Sequence, residues 1–197
     1  MGCRNWAMLQ IGRIANLCER KIRASQQGQF NYREFEQTVT TIDREIQFGL
    51  TQGGLENFNI SEGGAATILN SLNESTLITH IFASMATIYL HLVVQGFQNL
   101  ERVDAIISEA TKVLRSKVPK HFLPALVCPL FIIGSVAKQE DEQFFRDIFS
   151  SPPMLDPALK HRRGILPILE EIWSGRKTTP AFMWEDCLRL TSDILLL

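Results

Sequence analysis

FLPALVCPLFIIGSVA, Phe122 to Ala137, runs for sixteen residues without a charge, and Ser135 carries its one hydroxyl. A helix this apolar on every side has no solvent face, so neighbouring helices must surround it. We read it as the central core helix of an all-α fold. Pro124 suits a first turn, where its missing N–H costs nothing. Pro129 lies deeper and cannot donate to the carbonyl of Ala125, which predicts a kink. Sixteen residues fall short of the roughly 20 that span a bilayer, so burial in protein is the expectation.

Helical periodicity continues on both sides of this stretch. Upstream, Trp6, Leu9, Ile14, Leu17, Cys18 and Ile22 predict an amphipathic helix over Asn5 to about Ala24. The turn SQQGQ follows, and Asn31 with Glu34 forms a capping-box pattern for a second helix carrying Phe35, Val39, Ile42 and Ile46. Residues 1–50 therefore read as a helical hairpin. Residues 51–75, with Gly53-Gly54, Gly63-Gly64 and many Asn and Ser, read as a flexible loop holding at most a short helix near Ala65 to Leu72. Residues 76–197 form the main helical body. Thr76–Gln98 and Glu101–Arg115 open it, and Thr79, His80, Ser84, Thr87, His91 and Gln95 make the first of these too polar for a lone membrane span. After the central stretch, Glu140, Asp141 and Glu142 start a helix with an aromatic face of Phe144, Phe145 and Phe149. SPPMLDP, Ser151 to Pro157, reads as an extended connection. Ile165 to Trp173 and Trp184 to the C-terminus supply the last two helices. The expectation is one domain over 1–197: a compact bundle of about seven to eight helices around a buried, proline-kinked central helix.

The totals exclude several functions. The chain has 197 residues, 45% hydrophobic and 21% charged, with a net charge of -1 and a pI near 6.4. A surface that grips nucleic acid by neutralising phosphates needs a basic excess, and none is present. Cys3, Cys18, Cys128 and Cys187 are scattered, as expected of free thiols in a reducing compartment. The N-terminus has no long apolar run of a secretory signal. Trp6 occupies the position where a myristoylation motif opening on Met1-Gly2-Cys3 needs Ser or Thr.

Candidate chemistry is sparse. His80 and His91 lie eleven residues apart on one helix, about 16 Å along its axis, too far to share a metal. His121 and His161 are isolated. No Gly-x-Ser-x-Gly elbow and no phosphate-binding loop occurs. The acidic run Glu140 to Glu142, with Glu170 and Glu171, reads as helix-start stabilisation and a solvated face. Lys160, His161, Arg162 and Arg163 form the one basic cluster. The aromatics Phe144, Phe145, Phe149, Trp173 and Trp184 read as core. No residue is put forward as catalytic, cofactor-binding, metal-ligating or DNA-binding, and the chain is read as a non-enzyme.

Several strings carry a resemblance. YLH at Tyr89 to His91, CPLFIIGSVA at Cys128 to Ala137 followed by an acidic stretch and FFRDIF, ILEEIW at Ile168 to Trp173, and WEDCLRLTSDILLL at Trp184 to Leu197 are similar to the fungal-specific transcription factor domain. That domain is the regulatory region that follows a binuclear zinc cluster in many fungal activators and repressors. The hairpin sequence from Ile11 to Ile46 is similar to the one that precedes these strings in the family. The chain departs from the pattern at Cys128, where members commonly place Trp. The six-cysteine cluster is also absent from these residues, so no zinc ligand or base-reading residue carries over, and zinc enters only if such a cluster lies upstream. The resemblance implies a nuclear, all-α regulatory region that modulates RNA polymerase II transcription. Its expected partners are transcriptional co-regulators, a DNA-binding partner or segment, a homodimer mate or a small-molecule effector, without direct nucleic acid contact and without a membrane. Two alternatives stand beside this: a stand-alone helical adaptor that binds proteins, and a small-molecule-sensing domain with a pocket near Pro129.

Overall fold

The computed structural model of the chain describes residues 3–52, 66–156, 162–179 and 182–191, with the side chains of 66–73 left aside. Among the described residues it has eight α-helices and no strands. They are α1 (Asn5–Gln27), α2 (Tyr32–Gln52), α3 (Ala66–Gln95), α4 (Asp104–Ser116), α5 (Val127–Ser135), α6 (Gln139–Phe149), α7 (Ile165–Thr178) and α8 (Trp184–Leu190). The expected all-α bundle is what the chain forms. It divides into two compact units, Met1–Val94 and Gln95–Leu197, so α3 belongs with the hairpin rather than with the body expected over 76–197. Just past that boundary Gly96 adopts φ 63° and Asn99 φ 53°. Two left-handed residues within four positions stop the long helix.

In the first unit α1 and α2 form the hairpin. Gly28, at φ 67°, ends α1 while its N–H and that of Gln29 return to the last carbonyls, Ser25 and Ala24. The Glu34 N–H then donates to Asn31 Oδ1 at 3.2 Å, the cap expected for α2. The buried side of α1 is Ala7, Gln10, Ile14, Leu17 and Cys18. Leu9, read as part of that side, is 60% exposed instead. The inward arc is centred one residue away, where Gln10 is buried because its amide donates to Glu45 at 2.7 Å. The Arg4 N–H donates to Thr79 Oγ1 at 3.0 Å and Lys21 Nζ to the Val93 carbonyl at 2.8 Å, which ties α1 to α3 at both ends. Trp6 lies flat over Gly49, where an added Cβ would sit 2.5 Å from the ring.

The residues 66–75 expected in the loop are the start of α3, and α2 continues through Gln52; the remainder of that loop, 53–65, lies outside the described residues. Leu, Ile and Ala outweigh the Asn and Ser of this stretch once it can extend an existing helix. Within α3 the segment Glu74–Gln95 is long and apolar enough to cross a membrane, but its most apolar window is 72% buried within the protein. That burial accounts for its composition.

In the second unit the apolar stretch is not one kinked helix. It is a 3-10 segment, Lys120–Leu126, followed by α5. Pro129 is the third residue of α5, so its missing N–H falls in the first turn, where no intrahelical partner exists. The bend expected at the proline has become a break before it, at Leu126 (φ −106°, ψ 18°), because an α-helix through Ala125 would need the bond that Pro129 cannot make. Pro129 and every residue from Leu130 to Ala137 is buried. Helix α5 packs against α4, α6 and α7, and an added Cβ at Gly134 would come within 3.1 Å of Phe145. The connection after α6 is a series of turns with Met154 buried, rather than extended chain.

Leu130→Ala should therefore lower the stability of the second unit by about 2–5 kcal/mol, read from urea unfolding, since Leu130 is fully buried. A loss below about 1 kcal/mol would mean that α5 is loosely packed.

Candidate functional site

The end of an all-apolar, buried helix presents a problem that packing alone does not solve. The N–H groups of Val136 and Ala137 return to the carbonyls of Ile133 (3.2 Å) and Gly134 (3.1 Å), but the carbonyls beyond them need donors from elsewhere, and an unmet buried carbonyl costs about 1–3 kcal/mol. Helix α7 supplies the donors. The Trp173 indole N–H donates to the Gly134 carbonyl at 2.7 Å, and Arg176 Nη1 donates to the carbonyls of Ser135 (2.8 Å) and Ala137 (3.2 Å). The Ser135 hydroxyl turns back to Ile132 at 2.7 Å. Three residues apart on one helix, Trp173 and Arg176 project from the same face.

A buried carboxylate anchors the same joint. Glu142, 5% exposed, accepts from Lys177 at 2.8 Å and from Arg146 at 3.2 Å. Arg146 also reaches Glu170 at 3.2 Å and lies 4.8 Å over the Trp173 ring. Glu142 is thus not on a solvated face, as its place in an acidic run suggested. Its neighbours behave differently: Glu140 is exposed, and Asp141 pairs with Arg115 at 2.8 Å. Helix-start acidity and ion pairing look alike in sequence, and only the approach of α7 separates them.

The aromatics are distributed over packing contacts. Phe145 fills the space beside Gly134, Phe144 lies under Arg115 at 4.8 Å, and Phe97 stacks on Phe182 at 5.6 Å with Trp184 edge-on at 6.4 Å. Start of α8 and ring cluster are joined by Asp186, whose carboxylate accepts from the Met183 N–H at 3.0 Å. The contacts of Trp173, Arg176 and Lys177 with α5 and α6 form a latch, and a cleft of about 230 Å³ opens beside it, bordered by Phe97, Lys138 and Trp173. It lies at the C-terminal end of α5, not at Pro129.

The remaining candidates do not converge. His80 is on α3 in the first unit, as is His91, and His121 is in the 3-10 segment. His161 and Lys160 lie outside the described residues; Arg162 is half-buried, which lowers its pKa, and Arg163 is exposed. Among the described residues no group of three or more His, Cys, Asp or Glu side chains could hold a metal. None of the described cysteines is in a disulfide. Burial pushes the thiol of Cys128 up to about 11 and that of Cys187 up to about 12, so neither is a thiolate at neutral pH. Cys128, at the position where the resemblance expects Trp, is only half-buried.

Several residues of the latch come from the strings that carried the resemblance, Gly134 and Ser135 from the apolar string, Phe145 and Arg146 from FFRDIF, Glu170 and Trp173 from ILEEIW, whereas Arg176 and Lys177 lie outside them. The family profile for the fungal-specific transcription factor domain matches residues 1–197. The chain belongs to that family. This fungal-specific transcription factor domain is 40% identical over 190 residues to pestheic acid cluster transcriptional regulator 3 of Pestalotiopsis fici, covering 95% of this chain and 34% of that protein. It is 30% identical over 191 residues to the trichothecene biosynthesis transcription regulator TRI10 of Trichoderma arundinaceum, covering 94% of this chain and 41% of that one. A TRI10 of Fusarium sporotrichioides is 28% identical over 95% of the chain. The chain spans about a third to two-fifths of the length of these regulators. No solved structure matches it significantly.

Trp173→Phe keeps the ring and removes the N–H, so it should cost about 0.5–1.5 kcal/mol, one of the two hydrogen bonds to a Gly134 carbonyl that keeps the Ala137 N–H, read by chemical denaturation. Iodoacetamide followed by mass spectrometry should leave Cys187 unmodified at pH 8 in the folded chain and label it after unfolding. The pH dependence has a definite sign. The unfolded thiol titrates near 9.0 and the folded one near 12, so the contribution of Cys187 to stability is full below pH 9 and is lost as pH rises toward 12.

Proposed function

We propose that this domain is the regulatory region of a fungal zinc-cluster-type transcription factor, modulating RNA polymerase II transcription in the nucleus through contacts with proteins or an effector. The observation that carries the proposal is the family match over the whole chain, in a chain whose side chains at the α5–α7 joint lock helices together. Such residues specify a rigid body, which suits relaying a binding event rather than making or breaking a bond. The near-neutral charge supports a region that acts on transcription without gripping DNA itself. Two of the relatives are named for control of a biosynthetic pathway or cluster; by likeness, we place this chain's targets among the genes of one biosynthetic cluster.

Fusing residues 1–197 to a heterologous DNA-binding module in a fungal host should change reporter transcription, upward for an activator and downward for a repressor. Output equal to that of the module alone would count against the proposal. A gel-shift with the isolated chain should give no sequence-selective band. Translation of the nucleotides upstream of Met1 distinguishes a region of a longer factor, which predicts an in-frame six-cysteine segment, from a stand-alone adaptor, which predicts stop codons in every frame.

A further inference from the structure

The cleft beside the latch is more than a gap in the packing. Phe97, Leu100 and Trp173 give it apolar and aromatic walls, while Lys138, Arg176 and Lys177 bring three cations to the same opening. One carboxylate, Glu142, also borders it. That carboxylate already receives Lys177 and Arg146, so it contributes little repulsion to an incoming anion. Lys138 is held by Asp104 at 2.8 Å, with both side chains more than 40% exposed; such a pair is weak and exchanges readily for another acceptor. Helix α6 starts at this rim, with Lys138 at its N-cap and the carboxylates of Glu140, Asp141 and Glu142 in its first turn.

Arg176 shows an unmet demand. Its Nη1 donates to two neutral carbonyls, and its guanidinium lies 5.4 Å over the Phe97 ring. Burial lowers its pKa despite the opposing pull of Glu142. The surroundings therefore compensate this buried charge incompletely, and an added negative group beside it would be favoured.

We infer that this cleft receives a small carboxylate with a flat apolar body. The acid group would sit among Lys138, Arg176 and Lys177 and the flat part against Phe97, Leu100 and Trp173. A pocket with an apolar wall and a few convergent charges discriminates by both features, so neither an inorganic anion nor a neutral ring should suffice. Because the pocket floor is the α5–α7 latch, occupancy bears on the joint that holds α5, α6 and α7 together. This deepens the regulatory reading by giving it a ligand class, and it rests on that reading only for its biological consequence.

The test is calorimetric titration of the purified 197-residue chain with benzoate and 2-naphthoate, against benzamide and sulfate as probes lacking one feature each. Saturable binding of at least one aromatic carboxylate is expected, with benzamide and sulfate weaker by about tenfold or more. Leu100→Glu places a carboxylate in the wall and should weaken binding by about tenfold with circular dichroism unchanged. Lys138→Gln, at an exposed site, should weaken it several-fold and serves if the first variant is misfolded. No saturable binding by either carboxylate up to about 10 mM, equal binding of benzamide or sulfate, or unaltered affinity in the folded variants overturns the inference. A chain active on the reporter yet binding neither acid sinks the ligand site alone. One that binds but leaves the reporter unmoved sinks the regulatory reading alone.

Discussion

The second unit depends on how α5 is finished at its C-terminal end. A nine-residue helix with almost every residue buried gains apolar burial along its length but carries its unpaired carbonyls into the interior. Trp173 and Arg176 meet that requirement from a single face of α7. Once those two donors are in place the register and direction of α7 are set. Lys177 and Glu170 then fall where Glu142 and Arg146 can reach them. The ion pairs are consequences of the cap. Their energetic weight is in specifying one arrangement of three helices, since a buried carboxylate without both cations would be costly.

This accounts for the kind of resemblance the chain carries. The strings that carry the resemblance contain no Gly-x-Ser-x-Gly elbow and no phosphate-binding loop. They contain a glycine that lets Phe145 approach, an indole donor, and a buried carboxylate with one of its two cations, Arg146. In this chain those residues build a packed joint. For a regulatory region that is a coherent basis, because small changes at a closely packed joint switch between discrete arrangements rather than deform smoothly.

Several features escaped the sequence for identifiable reasons. Pro129 predicts a disruption, but whether the chain kinks through it or begins a new helix depends on what Ala125 can bond to instead. Leu9 shares the periodicity of the buried face, yet Gln10 takes the interior because Glu45 of α2 is there to receive its amide. Glu142 is one of three consecutive acidic residues, and the distinction among them is made by α7, some thirty residues later. Residues 66–75 have a loop-like composition and nonetheless lead into α3, since prolonging a helix costs far less than starting one.

By itself the sequence determined the all-α class, the approximate position of each helix, the apolar stretch at the centre of the second unit, and the family. These follow from local quantities, namely periodicity, proline placement, capping residues and shared strings, each contained within a few turns of chain. Only the tertiary structure decided where the chain divides, which carboxylate is buried, and that Trp173 and Arg176 close the end of α5 beside a cationic cleft. Those facts turn on partners some forty positions apart along the chain, and a donor's partner at that distance is chosen by how the helices cross, which no local pattern encodes.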